Sequence, residues 1–278
     1  MSIQHNSSGK TVGPQMASLL AGLYDRSQST FTLGDAQEIT GLNSHIASSL
    51  LHKAVRRGIV TRLKRGVFII VPPELGSTRE YSGDPYLAAM KLAGEAHCFI
   101  SHASAMETHR MVTQPQLAVF ASCTKRLQSR VLHGVEFRFV FIRAEHYFGT
   151  AKHWVTKQES VEISDLERTV IDGLRQPEYC GGITEVAKGL WMRRRDMQVA
   201  KLVDYALRLK IGAVSRRLGY LLELYAIASE SELTPLRKIL TATYVPLDPT
   251  LPQEGPHLRR WRLRLNITPE ELETVRAS

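Results

Sequence analysis

The sequence predicts an α+β protein, and three observations carry that expectation. Residues 14–71 switch from helical to strand-like hydrophobic spacing within one compact stretch. The strand candidates in the rest of the chain come early, before residue 164. From Ser164 onward the texture is helical. The chain has 278 residues, 43% of them apolar, which allows one large or two modest domains with buried cores. Its 36 Lys and Arg outnumber 27 Asp and Glu, giving a net charge of +9. That balance favours a polyanionic partner, either nucleic acid or an anionic membrane surface.

Residues 1–13 are polar and read as a disordered tail. Pro14 suits the first turn of a helix whose apolar face is Met16, Leu19, Leu20 and Leu23. Thr32, with Asp35 three residues on, reads as the N-cap of a short helix running to Thr40, which Gly41 breaks. A third helix spans about 44–57. Ile46, Ala47, Leu50, Leu51, Ala54 and Val55 form its apolar face, and Gly58 ends it. Residues 59–64 and 67–71 read as two strands about a tight Arg65-Gly66 turn, and Pro72-Pro73 closes the unit. Helix, helix, tight turn, helix and hairpin is the layout of a winged helix-turn-helix domain over 14–75.

That stretch is also where the charge collects. Between Glu38 and Glu74 lie six basic residues, Lys53, Arg56, Arg57, Arg62, Lys64 and Arg65, and no acid. Cations grouped on one compact unit bind phosphates by releasing counterions. Short polar side chains on a helix let it approach a groove floor and hydrogen-bond base edges. The expected DNA-binding set is therefore Asn43, Ser44, His45, Ser48, Ser49, His52 and Lys53 on the helix. Arg56, Arg62, Lys64 and Arg65 would grip the backbone. Double-stranded operator DNA is the expected partner, with two copies per operator as helix-turn-helix proteins often bind palindromes.

A polar connection, 74–84, leads to a mixed α/β C-terminal domain with a helical end, over 84–278. The expected helices are 85–93 and 101–109, with Ser101 as cap. The expected strands are 97–100, 117–121 and 135–143, with weaker ones between 147 and 163. Five helices follow near 164–175, 183–194, 197–209, 212–228 and 232–240, then a tail that is Pro-rich and afterwards Arg-rich. Ser164-Asp165-Leu166-Glu167 fits a capping box in which Ser164 caps the Glu167 amide, and Arg168 can pair with Asp172 four residues on. Arg193–Arg195, Arg216-Arg217 and Arg259–Arg264 would widen the positive surface. In the last of these, period-2 alternation favours burial of Trp261, Leu263 and Leu265 over direct nucleic-acid contact.

Other chemistries find little in the sequence. No GxGxxG, Walker A, HExxH or GxSxG motif occurs, so no enzyme activity and no cofactor is expected. His102 and His109 stand seven apart, where helical metal pairs need three or four, so both read as structural histidines. Cys98, Cys123 and Cys180 form no CxxC. So sparse and odd a set argues for a reducing compartment and against a disulfide framework. No segment approaches the roughly 20 apolar residues of a membrane span, and the N-terminus lacks an apolar signal core; a cytoplasmic protein is expected.

Three segments resemble the AbiEi-type antitoxins and predicted transcriptional regulators of bacterial type IV toxin–antitoxin and phage-defence loci. They are "VTRLKRGVFIIVP", "ISHASAMETHRM" and, most specifically, "VEISDLERTVIDGLRQPEYCGGITEVAKGLW". The resemblance covers about residues 14–230; the Arg-rich tail matches nothing in it. It implies an N-terminal domain that binds operator DNA and represses its own operon, and a C-terminal domain that supplies the antitoxin activity. It also implies a cognate toxin, often a nucleotidyltransferase, opposed without a stable complex. Two rivals stand beside it: a plain repressor with a ligand-sensing C-terminal domain, and an antitoxin that binds its toxin directly.

Overall fold

The computed structural model describes residues 12–75, 81, 83–112 and 117–276. The expected disordered tail falls, up to residue 11, outside the described residues. The chain divides into two compact units. The first is Met1–Gly94 with Val131–Val135 and Trp154–Ser160; the second is Glu95–Arg130, Glu136–His153 and Val161–Ser278. The division falls after Gly94, so the helix over 85–93 groups with the first unit.

The first unit opens with α1 (Pro14–Asp25), which has Pro at its first turn and buries Met16, Leu19 and Leu23. β1 (Thr30–Thr32) is a strand that sequence spacing did not disclose. Its last residue, Thr32, caps α2 (Leu33–Thr40) in a reciprocal capping box with Asp35, a device worth about 1 kcal/mol. α3 (Ser44–Arg56) follows a three-residue turn and buries Ala47, Leu51 and Ala54. β2 (Val60–Lys64) and β3 (Val67–Ile70) form an antiparallel hairpin, and β1 pairs with the other edge of β3, giving the order β1-β3-β2. Gly66 turns the hairpin with φ +77°, a conformation that costs a glycine nothing. A register shift between Arg62 and Lys64 marks a bulge in β2. Phe31 stacks on Phe68 at 5.8 Å and joins the core of Leu19, Leu23, Leu51 and Val60. α4 (Pro85–Ala93) is capped by Asp84, whose carboxylate accepts from the Tyr86 and Leu87 amides.

Strands β4 (Cys98–Ile100), β5 (Ala118–Cys123), β6 (Arg130–Leu132), β7 (Val135–Phe141), β8 (Thr150–Trp154) and β9 (Ser160–Ser164) form one mixed sheet. Most of it belongs to the second unit, while residues 131–132 of β6, Val135, Trp154 and Ser160 group with the first. α5 (His102–Thr108) intervenes between β4 and β5. The order is β6-β7-β5-β4-β9-β8, with β4 antiparallel to β5 and parallel to β9, and β5 parallel to β7. Cys98 and Cys123 face each other across β4 and β5 and form a disulfide, which corrects the sequence expectation. Their 25-residue separation hid the pairing, because only strand register brings the two together.

Helices α6 (Leu166–Arg175), α7 (Ile183–Arg193), α8 (Val199–Leu209), α9 (Gly212–Leu224) and α10 (Glu230–Lys238) build the helical end. The tail adds β10 (Val245–Pro246), β11 (His257–Leu258), β12 (Leu263–Arg264) and α11 (Pro269–Glu273), with the three strands in a small sheet. Trp261 and Leu263 are fully buried in the helical core, as the alternation predicted, while Leu265 only packs against it. α9 approaches the Trp261 ring at Gly219, where even a Cβ would collide with the indole. Among the described residues no helix is long and apolar enough to cross a membrane.

Candidate nucleic-acid interface

α3 and the β2–β3 hairpin enclose a concave face of about 470 Å³. Ser48 and His52 line it from the helix, Arg62 and Arg65 from the hairpin; Leu33, Val55 and Phe68 form its apolar wall. Local sequence explains the arrangement. Residues 48, 52 and 55 recur at spacings of four and three, so they share one side of α3. The tight turn at Gly66 places Arg65 at the hairpin tip. Four of the residues predicted to touch DNA thus meet at one surface.

The others distribute around it. Ser44, His45, Ser49, Lys53 and Arg56 are exposed on α3. Together with Ser48, His52 and Arg65, they make no side-chain hydrogen bond or ion pair among the described residues. Lys53 borders a different hollow, of about 270 Å³, beside Gly13–Met16 and Ile59. Asn43 is the N-cap of α3, and its Oδ1 accepts from the Ile46 amide at 3.0 Å. That carbonyl is already occupied by the cap bond, so only the NH2 group of Asn43 is without a bond among the described residues.

Two assignments change. Lys64 is half-buried, and its Nζ donates to the Leu92 carbonyl of the last turn of α4 at 3.3 Å. It acts there as a cation on a helix C-terminus. Ile46, placed in the core by its apolar character, is 45% exposed on α3. Ala47, Leu51 and Ala54 already fill the buried stripe, and Ile46 lies about 100° away from Ala47. The burial of Ile46 could not be read from residue type alone.

In the second unit the charges of the SDLERT segment turn inward. Asp165, not Ser164, is the N-cap of α6, accepting from the Arg168 amide at 2.8 Å. Ser164 Oγ instead bonds Thr169 Oγ1, and Glu167 accepts from the Gln198 amide and Lys201 Nζ, both at 2.9 Å. Burial works against the Glu167 carboxylate, yet those bonds hold it below the usual carboxylate range. Arg168 is fully buried and pairs with Asp172 at 2.9 Å, as the spacing predicted. It also donates to the His146 and Phe148 carbonyls and lies 4.4 Å over the Phe148 ring.

Arg216 and Arg217, expected on the positive surface, are buried; Arg216 donates to Thr241 and Thr243, Arg217 to the Leu174 and Pro246 carbonyls. Burial lowers Arg217 to about 10. Arg194 stacks on Trp191 at 3.5 Å, and Arg195 is exposed.

The histidines are structural in their contacts. His102 is fully buried and lowered to about 4 by desolvation, with Nδ1 against Ser101 Oγ at 2.8 Å. Ser101 precedes α5 as expected but makes no side-chain cap; its hydroxyl serves His102 and Ser122. His109 Nε2 lies 2.7 Å from the Ser164 carbonyl. Among the described residues no three His, Cys, Asp or Glu side chains are grouped to hold a metal ion.

No protein-family model matches the chain, and no curated protein does. The crystal structure of the RV2827C protein from Mycobacterium tuberculosis is similar to it, with a TM-score of 0.72 at 17% identity over 98% of each chain. The chain therefore shares its mixed α+β fold with that mycobacterial protein along nearly its whole length.

Proposed function

We propose that this protein is a sequence-specific DNA-binding repressor of its own operon, and that it serves there as an antitoxin. In this reading α2 and α3 are a helix-turn-helix, α3 enters the major groove, and the β2–β3 hairpin is a wing over the adjacent backbone. One observation supports it above the others. The concave face between α3 and the hairpin carries Arg62 and Arg65 with Ser48 and His52, in a segment holding six cations and no acid. Arg62 and Arg65 supply phosphate affinity, while Ser48, His52, His45, Ser49 and Ile46 supply base contacts. Lys53 and Arg56 extend the backbone grip along α3.

The antitoxin role rests on the resemblance of residues 161–191 to the AbiEi-type proteins. The contacts of α6 support a scaffold role for that segment: Asp165, Glu167, Arg168 and Asp172 are all bound within the fold. In this reading the protein is cytoplasmic, with operator DNA and a cognate toxin as partners. The DNA role carries that location and the cysteines do not, since Cys98 and Cys123 form a disulfide of a kind rare in reducing compartments.

A mobility-shift titration of the full chain on DNA upstream of its gene tests the repressor reading. Binding well above random duplex is expected; equal affinity for both would reduce the site to a general polyanion grip. Co-expression with the neighbouring toxin gene tests the second role. Rescue of growth without co-purification is the expected result, and a co-purifying complex would favour direct binding instead.

A further inference from the structure

The second unit contains a cationic cleft that the DNA reading does not use. It measures about 750 Å³ and is lined by Arg143, Arg175, Arg208 and Lys210, with Glu145 and His146. Arg143 follows β7, Arg175 ends α6, and Arg208 and Lys210 lie at the end of α8. Phe141 and Ile211 add apolar wall, and a further cation, Arg126, stacks 4.6 Å over the Phe141 ring.

Three features set this cleft apart from an ordinary basic surface. Arg175 Nη1 and His146 Nδ1 are both buried with no hydrogen-bond partner. Such atoms occur elsewhere in the protein too, but here two of them border one cationic cleft, where their hydrogen-bonding capacity is unspent. Lys210 is the left-handed C-cap of α8, at φ +57°, and this helix ending sets a cation at the cleft. The charges also fail to cancel. Glu145 offsets one of the four cations, pairing with Arg143 at 3.5 Å. The C-termini of α6 and α8 carry about half a negative charge each. Roughly two positive charges remain, enough for a dianion or more. By contrast, in the arginine cluster at Arg259–Arg262, Arg260 is paired with Glu223 and Glu230.

We propose that this cleft binds a small ligand bearing a diphosphate, of the nucleoside di- or triphosphate class. The cleft is larger than one phosphate needs and lies within the size range of small-molecule sites, about 300–1,000 Å³. Arg143, Arg175, Arg208 and Lys210 would hold the phosphates through charge-assisted hydrogen bonds. Phe141 and Ile211 offer the apolar surface that a base requires. None of these residues belongs to the α3–hairpin face, so the inference stands or falls apart from the DNA reading.

Isothermal titration of the full chain with GTP, ATP and pyrophosphate at about physiological salt tests it. Saturable one-to-one binding is expected, weakened about tenfold by Arg143→Ala and by Lys210→Gly, each removing one charge-assisted bond. Lys210→Gly relieves the left-handed backbone, so its melting temperature should hold or rise, separating loss of binding from loss of fold. Arg62→Ala should leave the titration unchanged. Pyrophosphate binding as tightly as GTP would assign recognition to the phosphates alone; tighter GTP binding would add the Phe141 wall. Absence of saturable binding, equal binding by both cleft variants, or a response confined to duplex DNA would overturn the proposal.

Discussion

The α3–hairpin face and the α6 segment use the same kinds of residue for opposite ends. On the first, Arg62 and Arg65 are exposed and carry no ion pair among the described residues. On the second, Arg168 is fully buried, bound to Asp172 and to two backbone carbonyls. An arginine left in water costs little and stays available for an external phosphate. An arginine taken out of water must be matched on the spot, and it then fixes the geometry around it. Charge alone therefore does not locate a binding surface; what matters is whether the protein has already satisfied it.

Removing one cation from each region should have opposite consequences. Arg168→Ala strands Asp172 in the core and should cost about 3–5 kcal/mol in chemical denaturation. Arg62→Ala and Arg65→Ala should change stability by no more than about 0.5 kcal/mol. Both are exposed, and the one bond either makes among the described residues, from Arg62 Nε to the Lys64 carbonyl, is long at 3.4 Å. A large loss at Arg65 or a negligible one at Arg168 would invert the distinction.

Acid offers a second test of the buried region. His102 is held neutral by burial, its value lowered from 6.5 to about 4, with Asp172 raising it and Arg175 and Arg168 lowering it further. Between those values the unfolded chain binds the extra proton. Stability should thus be full above about pH 6.5 and fall towards pH 4, by about 3 kcal/mol. His102→Asn, which tolerates the +51° φ at this position, should flatten that slope in pH-dependent melting.

Smaller effects sharpen the picture. Gly219→Ala should lose about 1–3 kcal/mol, because Trp261 must move to admit the methyl group. Lys64→Ala should cost about 1 kcal/mol through its lost bond to Leu92. It should also lower the salt dependence of DNA binding less than Arg62→Ala does. Ser48→Ala and His45→Ala should leave stability unchanged and shift sequence preference in a binding-site selection.

Much of the first unit was legible because its signals are local. Pro14, the Thr32–Asp35 box and Gly66 each act within a few residues, and the helical and strand periods state which face is buried. β1 escaped because three residues have no period of their own; pairing with β3 makes them a strand. The α6 cap slipped by one residue because Ser164 and Asp165 are both good N-caps, and Ser164 is drawn to Thr169. Cys98–Cys123, the inward turn of Arg216 and Arg217, and the exposure of Ile46 depend on tertiary packing. So does the direction of Lys64, which is set by α4 and not by the hairpin that carries it.

The most direct test of the central claim is the salt dependence of operator binding by full-length protein, wild type against Arg62→Ala and Arg65→Ala. The slope of log K against log salt should fall by about one for each substitution, with folding intact. An unchanged slope in both variants would remove the hairpin from the DNA interface and contradict the proposed role of this face.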